Sequence, residues 1–469
     1  MLLPALGSRA GFGVLSLVAL VNAVSQEGLP PMQITPILVF NAVVLVFFVL
    51  AFFYQFVYIF ITLRYKQHPV KPARRLHSYA FVICAHNEGA VISELVRSIK
   101  EQDYPSELID TYVFCDNCTD DTAQLAREAG AIVFERPGGG QKGKSWVMDY
   151  GLSRVLKEHP GKYEAFFVFD ADNVLSKTYV TEMNKVFDMG GFAAITSFRN
   201  SKNFDSSWVS RGYGTWFIRE ATYLNNARMI LGTSCAISGT GYLISADMIE
   251  RMHGWDFHLL TEDIQFSVFC AVNGYRIGYA HNAVFYDEQP VTFSASWKQR
   301  MRWTKGFYQV FAKYASALFN TWFKGPKNRV APDVKEDRSW RFAAYDMTMT
   351  IAPAMILTIV SAAVNGIYLL LGLIAPEIVG PTEVRMCLGS FCATFVTFYL
   401  TFFLLALLTT ATEGKKMHMT PLHRFTNLFT FPVFMLSYVP LALVAAVKKV
   451  DWVPTRHTIS KTLSEIQAQ

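Results

Sequence analysis

Two aspartates one residue apart close the apolar run FFVFDAD, residues 166–172. Carboxylates spaced like Asp170 and Asp172, placed after a buried strand, suit an oxygen-preferring divalent cation that also bridges two phosphates. The plainer reading is a pair of turn or cap aspartates. A second acidic pair, Glu262 and Asp263, follows Thr261 in TEDIQFSVF. There Thr261 can cap a helix whose first turn favours acidic side chains. Alternatively Asp263 serves as a general base facing an acceptor, with Glu262 supporting it. Gln299, Arg302 and Trp303 in SWKQRMRWTKGF share one helical face by their spacing. An arginine there can neutralise a diphosphate and a tryptophan can stack on a sugar ring. A basic amphipathic helix lying on a membrane explains the same pattern.

The stretch GGGQKGKS, residues 138–145, matches the phosphate-loop pattern G-x-x-x-x-G-K-[ST]. Its backbone N–H groups, Lys142 and Lys144 attract phosphate in any enzyme class. A nucleotide-hydrolysing domain is therefore a coherent rival. Two features oppose it: the loop follows the third strand rather than the first, and the acidic strand carries a second aspartate that hydrolysis does not need. Glu88 and Asp116 end the first and second strands, where a carboxylate can accept from a base or ribose. Cys115 and Cys118 form a single C-x-x-C pair, read as small buried cysteines rather than a redox pair.

The elements that must position these groups alternate between strand-like and helix-like runs from Leu76 to about Phe311, which predicts a parallel α/β sheet. Strands are predicted at 78–85, 110–116, 131–137 and 166–172. Helices are predicted after the first strand and, capped by Thr119, after the second. Ligands of such sheets bind outside the carboxyl ends of the strands, and the polar clusters fall at those ends or on loops that can face them.

Hydrophobic residues make up 52% of the 469 and charged ones 17%, with 38 phenylalanines. This apolar excess lies in blocks near both ends. The block at 34–63 carries no charge and exceeds the roughly twenty residues that cross a hydrocarbon core. Blocks at 347–374 and 386–411 are long enough as well. Residues 11–24 form a possible short segment. Residues 425–447 contain Pro432 and Pro440 and are read as an interfacial or re-entrant helix. A crossing there would strand Lys448 and Lys449 on the opposite side from Arg64, Lys66, Lys71, Arg74, Arg75, Lys415 and Lys416. These flanks account for the net charge of +6, which does not call for nucleic acid. The expected organisation is a membrane region at 1–75, a cytosolic domain at 76–311 and interfacial linker helices at 312–346. A second membrane region at 347–447 and a cytosolic tail at 448–469 follow.

Taken in order, HNE (86–88), CDNCTDD (115–121), GKS (143–145), FDADN (169–173), SGTGYLIS (238–245), TED and QRMRW resemble the motif series of family-2 glycosyltransferases. More narrowly they resemble the membrane-integrated processive synthases typified by cellulose, hyaluronan and chitin-oligosaccharide synthases. The resemblance implies a GT-A (Rossmann-like) α/β domain inserted between N- and C-terminal transmembrane or interfacial helices. It implies that Glu88 and Asp116 contact uracil and ribose, that Lys142 or Lys144 sits beside the nucleotide, and that Asp170 touches the ribose or diphosphate. Asp172 would bind Mg2+ or Mn2+ with the diphosphate, and Asp263 would deprotonate the acceptor. Gly239 and Thr240 would form part of the acceptor wall, while Gln299, Arg302 and Trp303 would hold the leaving diphosphate and the acceptor sugar. WVPTRH (452–457) resembles a gating loop, with Trp452, Thr455 and Arg456 folding over the nucleotide.

The implied reaction is an inverting transfer from a UDP-sugar to a growing polysaccharide at the cytosolic face of the inner membrane, coupled to export. UDP-glucose ranks ahead of UDP-N-acetylglucosamine as donor, because TED is the form seen in glucan-making relatives. A non-processive lipid or lipid-linked glycosyltransferase would use the same site. A membrane-tethered P-loop NTPase is the third reading.

Overall fold

The computed structural model describes residues 35–136, 138, 141, 143–326, 339–451, 455 and 457–468. The short segment expected at 11–24 lies outside them. The chain enters through helix α1 (Pro36–Tyr65), followed by β1 (Tyr79–Ala85), α2 (Ile92–Lys100), β2 (Ile109–Asp116), α3 (Thr122–Glu128) and β3 (Ile132–Arg136). Helix α4 (Lys144–Glu158) leads to β4 (Ala165–Asp170), β5 (Val174–Leu175), α5 (Tyr179–Phe187) and β6 (Ala194–Ser201). Then come α6 (Trp208–Arg219), a π-helical turn (Glu220–Asn225), α7 (Asn226–Leu231), β7 (Tyr242–Ser245) and α8 (Ala246–Arg251). Helix α9 (Glu262–Asn273) and β8 (Ile277–Asp287) finish the sheet domain. The remaining helices are α10 (Phe293–Lys324), α11 (Ser339–Ile351), α12 (Pro353–Ile374), α13 (Pro381–Glu413), α14 (Pro421–Leu436), α15 (Tyr438–Val447) and α16 (Leu463–Gln467).

The eight strands form one sheet in the order β3-β2-β1-β4-β7-β6-β8-β5. The first four strands are parallel, as the alternation predicts; β7 runs antiparallel to both β4 and β6, so the whole sheet is mixed. The β1 and β4 side chains are apolar on both faces, with Phe81, Val82, Phe167 and Val168 fully buried, as expected of strands covered on both sides. Register aligns Cys84 with Asp170 and Ala85 with Cys115. The carboxyl ends of β1, β2 and β4 therefore lie abreast, which brings Glu88, Asp116 and Asp170 to one edge. Asp121, not Thr119, stands at the cap of α3, because Thr119 is drawn across to the Asn87 side chain, 2.7 Å from its N–H.

Among the described residues, four helical stretches are long and apolar enough to cross a membrane: Pro36–Tyr65, Ile356–Ile374, Pro381–Glu413 and Pro421–Val447. The block expected at 347–374 is divided, since α11 ends at Ile351 and α12 begins with Pro353. A proline has no N–H to donate to the preceding turn, so it breaks the helical hydrogen-bond ladder there. The stretch from 421 to 447 breaks at Ser437, where Pro440 has no N–H to offer the carbonyl four residues back. Donors from α10 reach this stretch on both sides of the break. Arg300 donates to Phe434 O (3.0 Å) and Ser437 Oγ (2.7 Å), Tyr308 to Ala442 O (2.9 Å) and Lys305 to Ala445 O (3.0 Å). Of the four stretches, this one has 44% of its apolar window buried within the protein, against 6–11% for the others. Helix α10 is continuous through residue 311, so the domain border expected there falls inside one rigid element.

Candidate active site

The acidic pair at the start of α9 is set by the approach of α10. A Cβ on Gly306 would lie 2.5 Å from Thr261 Oγ1, so only glycine lets α10 pack this closely. Gln309 of α10 accepts the Leu260 N–H at 3.2 Å. Thr261 occupies the cap position, but its buried hydroxyl makes no capping bond. Behind the pair, Gly239 has φ +80°, a conformation that favours glycine, and its N–H donates to Asp263.

Burial raises the pKa of both acids. Glu262 is pushed up to about 7 by burial and by the neighbouring Asp263 carboxylate. Asp263 is raised by burial, with the Ile264 and Gly239 N–H groups, Lys144 and Arg302 opposing the rise. A carboxylate whose pKa is raised is better suited to taking a proton.

Lys144, the first residue of α4, reaches out of the glycine-lysine turn to join two strand ends. Its Nζ lies 2.6 Å from Asp170 Oδ1 and donates to Gly239 O at 2.6 Å. Asp116 pairs with Arg136 (2.9 Å). Arg199 on β6 pairs with Asp287 (2.7 Å) and lies over the Phe217 ring at 3.7 Å.

One cavity of about 550 Å³ gathers the predicted residues. Glu88, Asp116, Lys144 and Asp170 at the strand ends line it together with Gly239, Glu262 and Asp263. Gln299, Arg302 and Trp303 line it from α10, and Thr455 from the C-terminal tail. Past Trp303 the lining passes to Phe48, Phe52 and Phe56 of α1 and Phe398 and Phe402 of α13.

Two predicted residues stand behind the wall. Thr240 is buried, accepts the Asp170 N–H (2.9 Å) and donates to Asn173 Oδ1 (2.6 Å). It braces the acidic turn, and Gly239 alone of that pair reaches the cavity. Asp172 is 4% exposed; its oxygens accept from Asn173 Nδ2 (3.1 Å) and the Glu288 N–H (2.7 Å). Lys142, Trp452 and Arg456 lie outside the described residues. Cys115 is buried, as read from the sequence.

Asp170 lines the cavity and can offer a carboxylate oxygen to a hard divalent cation held jointly with a ligand. Asp172 does not line it, and among the described residues no cluster of three or more His, Cys, Asp or Glu side chains could hold a metal. Magnesium is commonly bound this way, by one or two carboxylates plus phosphate oxygens.

Residues not singled out from the sequence complete the site. His457 Nδ1 lies 3.0 Å from both Glu88 oxygens. Burial alone disfavours its charge, but Asp172 and Glu88 raise it to about 10. The Thr458 and Ile459 N–H groups reach Glu288 at 3.1 and 2.9 Å. Lys202, also buried, donates to Asp172 O at 2.7 Å. No local pattern marks Lys202, whereas His457 closes the WVPTRH stretch without having been singled out within it.

Residues 77–306 match the model of the family described as glycosyltransferase-like family 2. The chain is 27% identical over 268 residues to a probable glycosyltransferase, YdaM, of Bacillus subtilis, covering 52% of this chain and 59% of the relative. It is 26% identical over 238 residues to the beta-monoglucosyldiacylglycerol synthase of Synechocystis, covering 50% and 48%. It is 22% identical over 250 residues to the poly-beta-1,6-N-acetyl-D-glucosamine synthase of Staphylococcus epidermidis, covering 51% and 57%. The chain thus spans about half the length of the curated relatives it matches. In fold it resembles a mannosyltransferase from Pyrobaculum calidifontis solved with GDP-Man and Mn2+. The TM-score is 0.52 at 17% identity, over 86% of this chain and 97% of that one.

Proposed function

Residues 77–306 form a family-2 glycosyltransferase domain of GT-A fold, and from that premise we propose that the chain transfers a sugar from a UDP-sugar to the hydroxyl of a membrane lipid. UDP-glucose ranks first as donor and UDP-N-acetylglucosamine second, and the reaction faces the cytosol at the inner membrane. The observation that carries the lipid reading is the shared cavity: the same space touches Asp170 and Asp263 at one end and membrane-helix phenylalanines at the other. A lipid can lie there with its chains among Phe52, Phe398 and Phe402 and its headgroup at the base. The diacylglycerol named in the Synechocystis relative is an acceptor of this kind.

In this reading Glu88 and Asp116 accept from the base and ribose, with Thr455 and His457 of the tail lining the same cavity. Asp263 takes the acceptor proton as the acceptor oxygen attacks the anomeric carbon opposite the departing UDP, giving a β-linked product from an α-linked donor. Arg302 holds the charge that develops on the diphosphate. Lys144 keeps Asp170 aimed at the donor end. A Mg2+ or Mn2+ ion held by Asp170 and the donor's own phosphate oxygens would neutralise the diphosphate as a Lewis acid. The break at Ser437 and the bonds from Arg300, Lys305 and Tyr308 support an interfacial course for residues 421–447.

A second reading, processive polysaccharide synthesis with export, is favoured by Trp303. Its ring borders the cavity beside Tyr213 (5.8 Å), a position suited to stacking on an acceptor sugar. Purified enzyme given radiolabelled UDP-sugars and a lipid extract separates the readings. A single sugar on an organic-extractable product supports the first, and a ladder or polymer overturns it. ATP turnover that survives Asp263→Asn would instead restore the phosphate-loop rival.

A further inference from the structure

Glu288 follows the last residue of β8 and is held from two directions. Its N–H donates to Asp172 Oδ2 at 2.7 Å, while its carboxylate accepts the Thr458 N–H at 3.1 Å and the Ile459 N–H at 2.9 Å. Its side chain is 8% exposed. Among the described residues the cation that pairs with it is Lys202, 3.6 Å away, and Lys202 also donates to Asp172 O at 2.7 Å. A nearly buried carboxylate is costly unless hydrogen bonds satisfy it. Here two of them come from the C-terminal tail.

The tail is fastened at its far end as well. Thr462 and Glu465 cap helix α16 reciprocally, and Ile466, fully buried, packs on Val174 and Tyr286. Those two residues are register partners in the β5–β8 pair, and β5 is the strand that leaves the acidic turn. Lys461 reaches Lys202 O at 3.4 Å. The acidic turn is therefore gripped on two sides. Thr240 holds the Asp170 N–H and Asn173 on one, and Glu288 holds Asp172 on the other. Asp172 lies behind the cavity wall, whereas Asp170, two residues earlier, lines it.

We propose that Glu288 is a positioning residue that couples docking of the C-terminal tail to the seating of the acidic turn, and so to the placement of Asp170 in the donor site. The inference rests on the UDP-donor reading and is independent of the acceptor. Glu288 touches no substrate; it acts through Asp172. Undocking the tail takes two donors from the Glu288 carboxylate, which then draws on Lys202. That lysine is the side chain that holds Asp172 O, so the turn loses a restraint when the tail leaves.

The test uses the full-length protein in detergent micelles, with UDP and Mn2+ as probes. Glu288→Gln and Ile466→Asp should each weaken UDP binding about tenfold by calorimetry, the scale of one hydrogen bond to a charged group. The double variant should bind UDP no worse than the weaker single variant, because both changes act through one contact. Glu288→Asp, which keeps the charge, should recover part of the affinity lost in Glu288→Gln. Amide hydrogen exchange in Ile466→Asp should quicken at 170–175 as well as at 457–467, with the thermal midpoint near that of the wild type. Ile466→Ala, a milder loss, should move both readouts in the same direction. Unchanged exchange at 170–175 in the Ile466 variants would overturn the inference, as would additive losses of affinity in the double variant. If the wild type binds no UDP but exchange in the turn still follows Ile466, the donor reading fails and the coupling stands.

Discussion

His457 Nδ1 lies 3.0 Å from both carboxylate oxygens of Glu88, joining residues 369 positions apart in sequence. The contact pins the C-terminal tail over the carboxyl end of β1, and the Thr458 and Ile459 bonds to Glu288 hold it beside β8. A tail fastened this way covers the donor end of the cavity, so it should contribute to holding the donor rather than to chemistry. His457→Ala should weaken UDP binding about tenfold, the scale of a hydrogen bond to a charged group, while leaving the thermal midpoint near that of the wild type. Calorimetric titration with UDP checks this, and wild-type affinity in the variant would remove the tail from donor binding.

Asp263→Asn keeps the shape of the α9 start but cannot take a proton. Transfer should fall by about 10²–10⁴, the range of general-base contributions. UDP binding should persist, because Glu88, Asp116 and Asp170 are untouched. Loss of UDP affinity in this variant would contradict its assignment as the base.

The pH profile follows from the same pair. Glu262 is pushed up to about 7 and Asp263 is also raised, both by burial first. The ionised form of Asp263 is the active one, so kcat should fall on the acid side, at a pH above the ordinary aspartate range, and level off above it. Glu262→Gln removes a like charge beside Asp263. The pKa of Asp263 should drop, and the acid limb should shift to lower pH. An unmoved limb would separate the two titrations.

Away from the site, Asp346 is fully buried between the Tyr58 hydroxyl (2.7 Å) and Arg228. This triad ties α1, α7 and α11 together beneath the sheet domain. Removing one partner leaves a buried charge alone, at a cost of about 3–5 kcal/mol. Asp346→Ala should therefore lower the thermal midpoint in detergent sharply. Tyr58→Phe, which deletes one bond and keeps the ring, should lower it far less. Equal losses would mean that ring packing, not the charge, holds this corner.

The donor half of the site was legible because its logic is local. A parallel βαβ repeat delivers each strand end to one edge, so reading Glu88, Asp116 and Asp170 as strand ends also placed them together. TED and QRMRW were legible as helix faces. Arg199 and Lys202 were not, because each acquires its role only from a partner distant in the chain; His457 lay inside the quoted WVPTRH stretch, but its partner Glu88 could not be read from the sequence. Strand direction was also hidden: β7 has the same apolar character as β4, and alternation of side chains does not encode which way a strand runs. Thr240 was misassigned for a related reason. Its motif is shared with a glycine that does face the cavity, and only the fold decides which of the two points inward.

Gly306 offers a test of how closely the two catalytic helices must approach. A Cβ there would sit 2.5 Å from Thr261 Oγ1 and 2.6 Å from Thr261 Cγ2, too near to be absorbed without movement of α10 or of the α9 start. Overpacking of this kind costs about 1–3 kcal/mol. The displacement falls on the turn that carries Glu262 and Asp263, and Arg302 rides on the same face of α10 one turn earlier. Gly306→Ala should therefore lower kcat more than its modest loss of thermal stability suggests, with UDP affinity little changed because the strand-end carboxylates lie on the sheet. Adding Thr261→Ser deletes the crowded methyl and should recover part of the lost rate. A double variant no faster than Gly306→Ala would show that the contact with Thr261 does not set the geometry of the acidic pair.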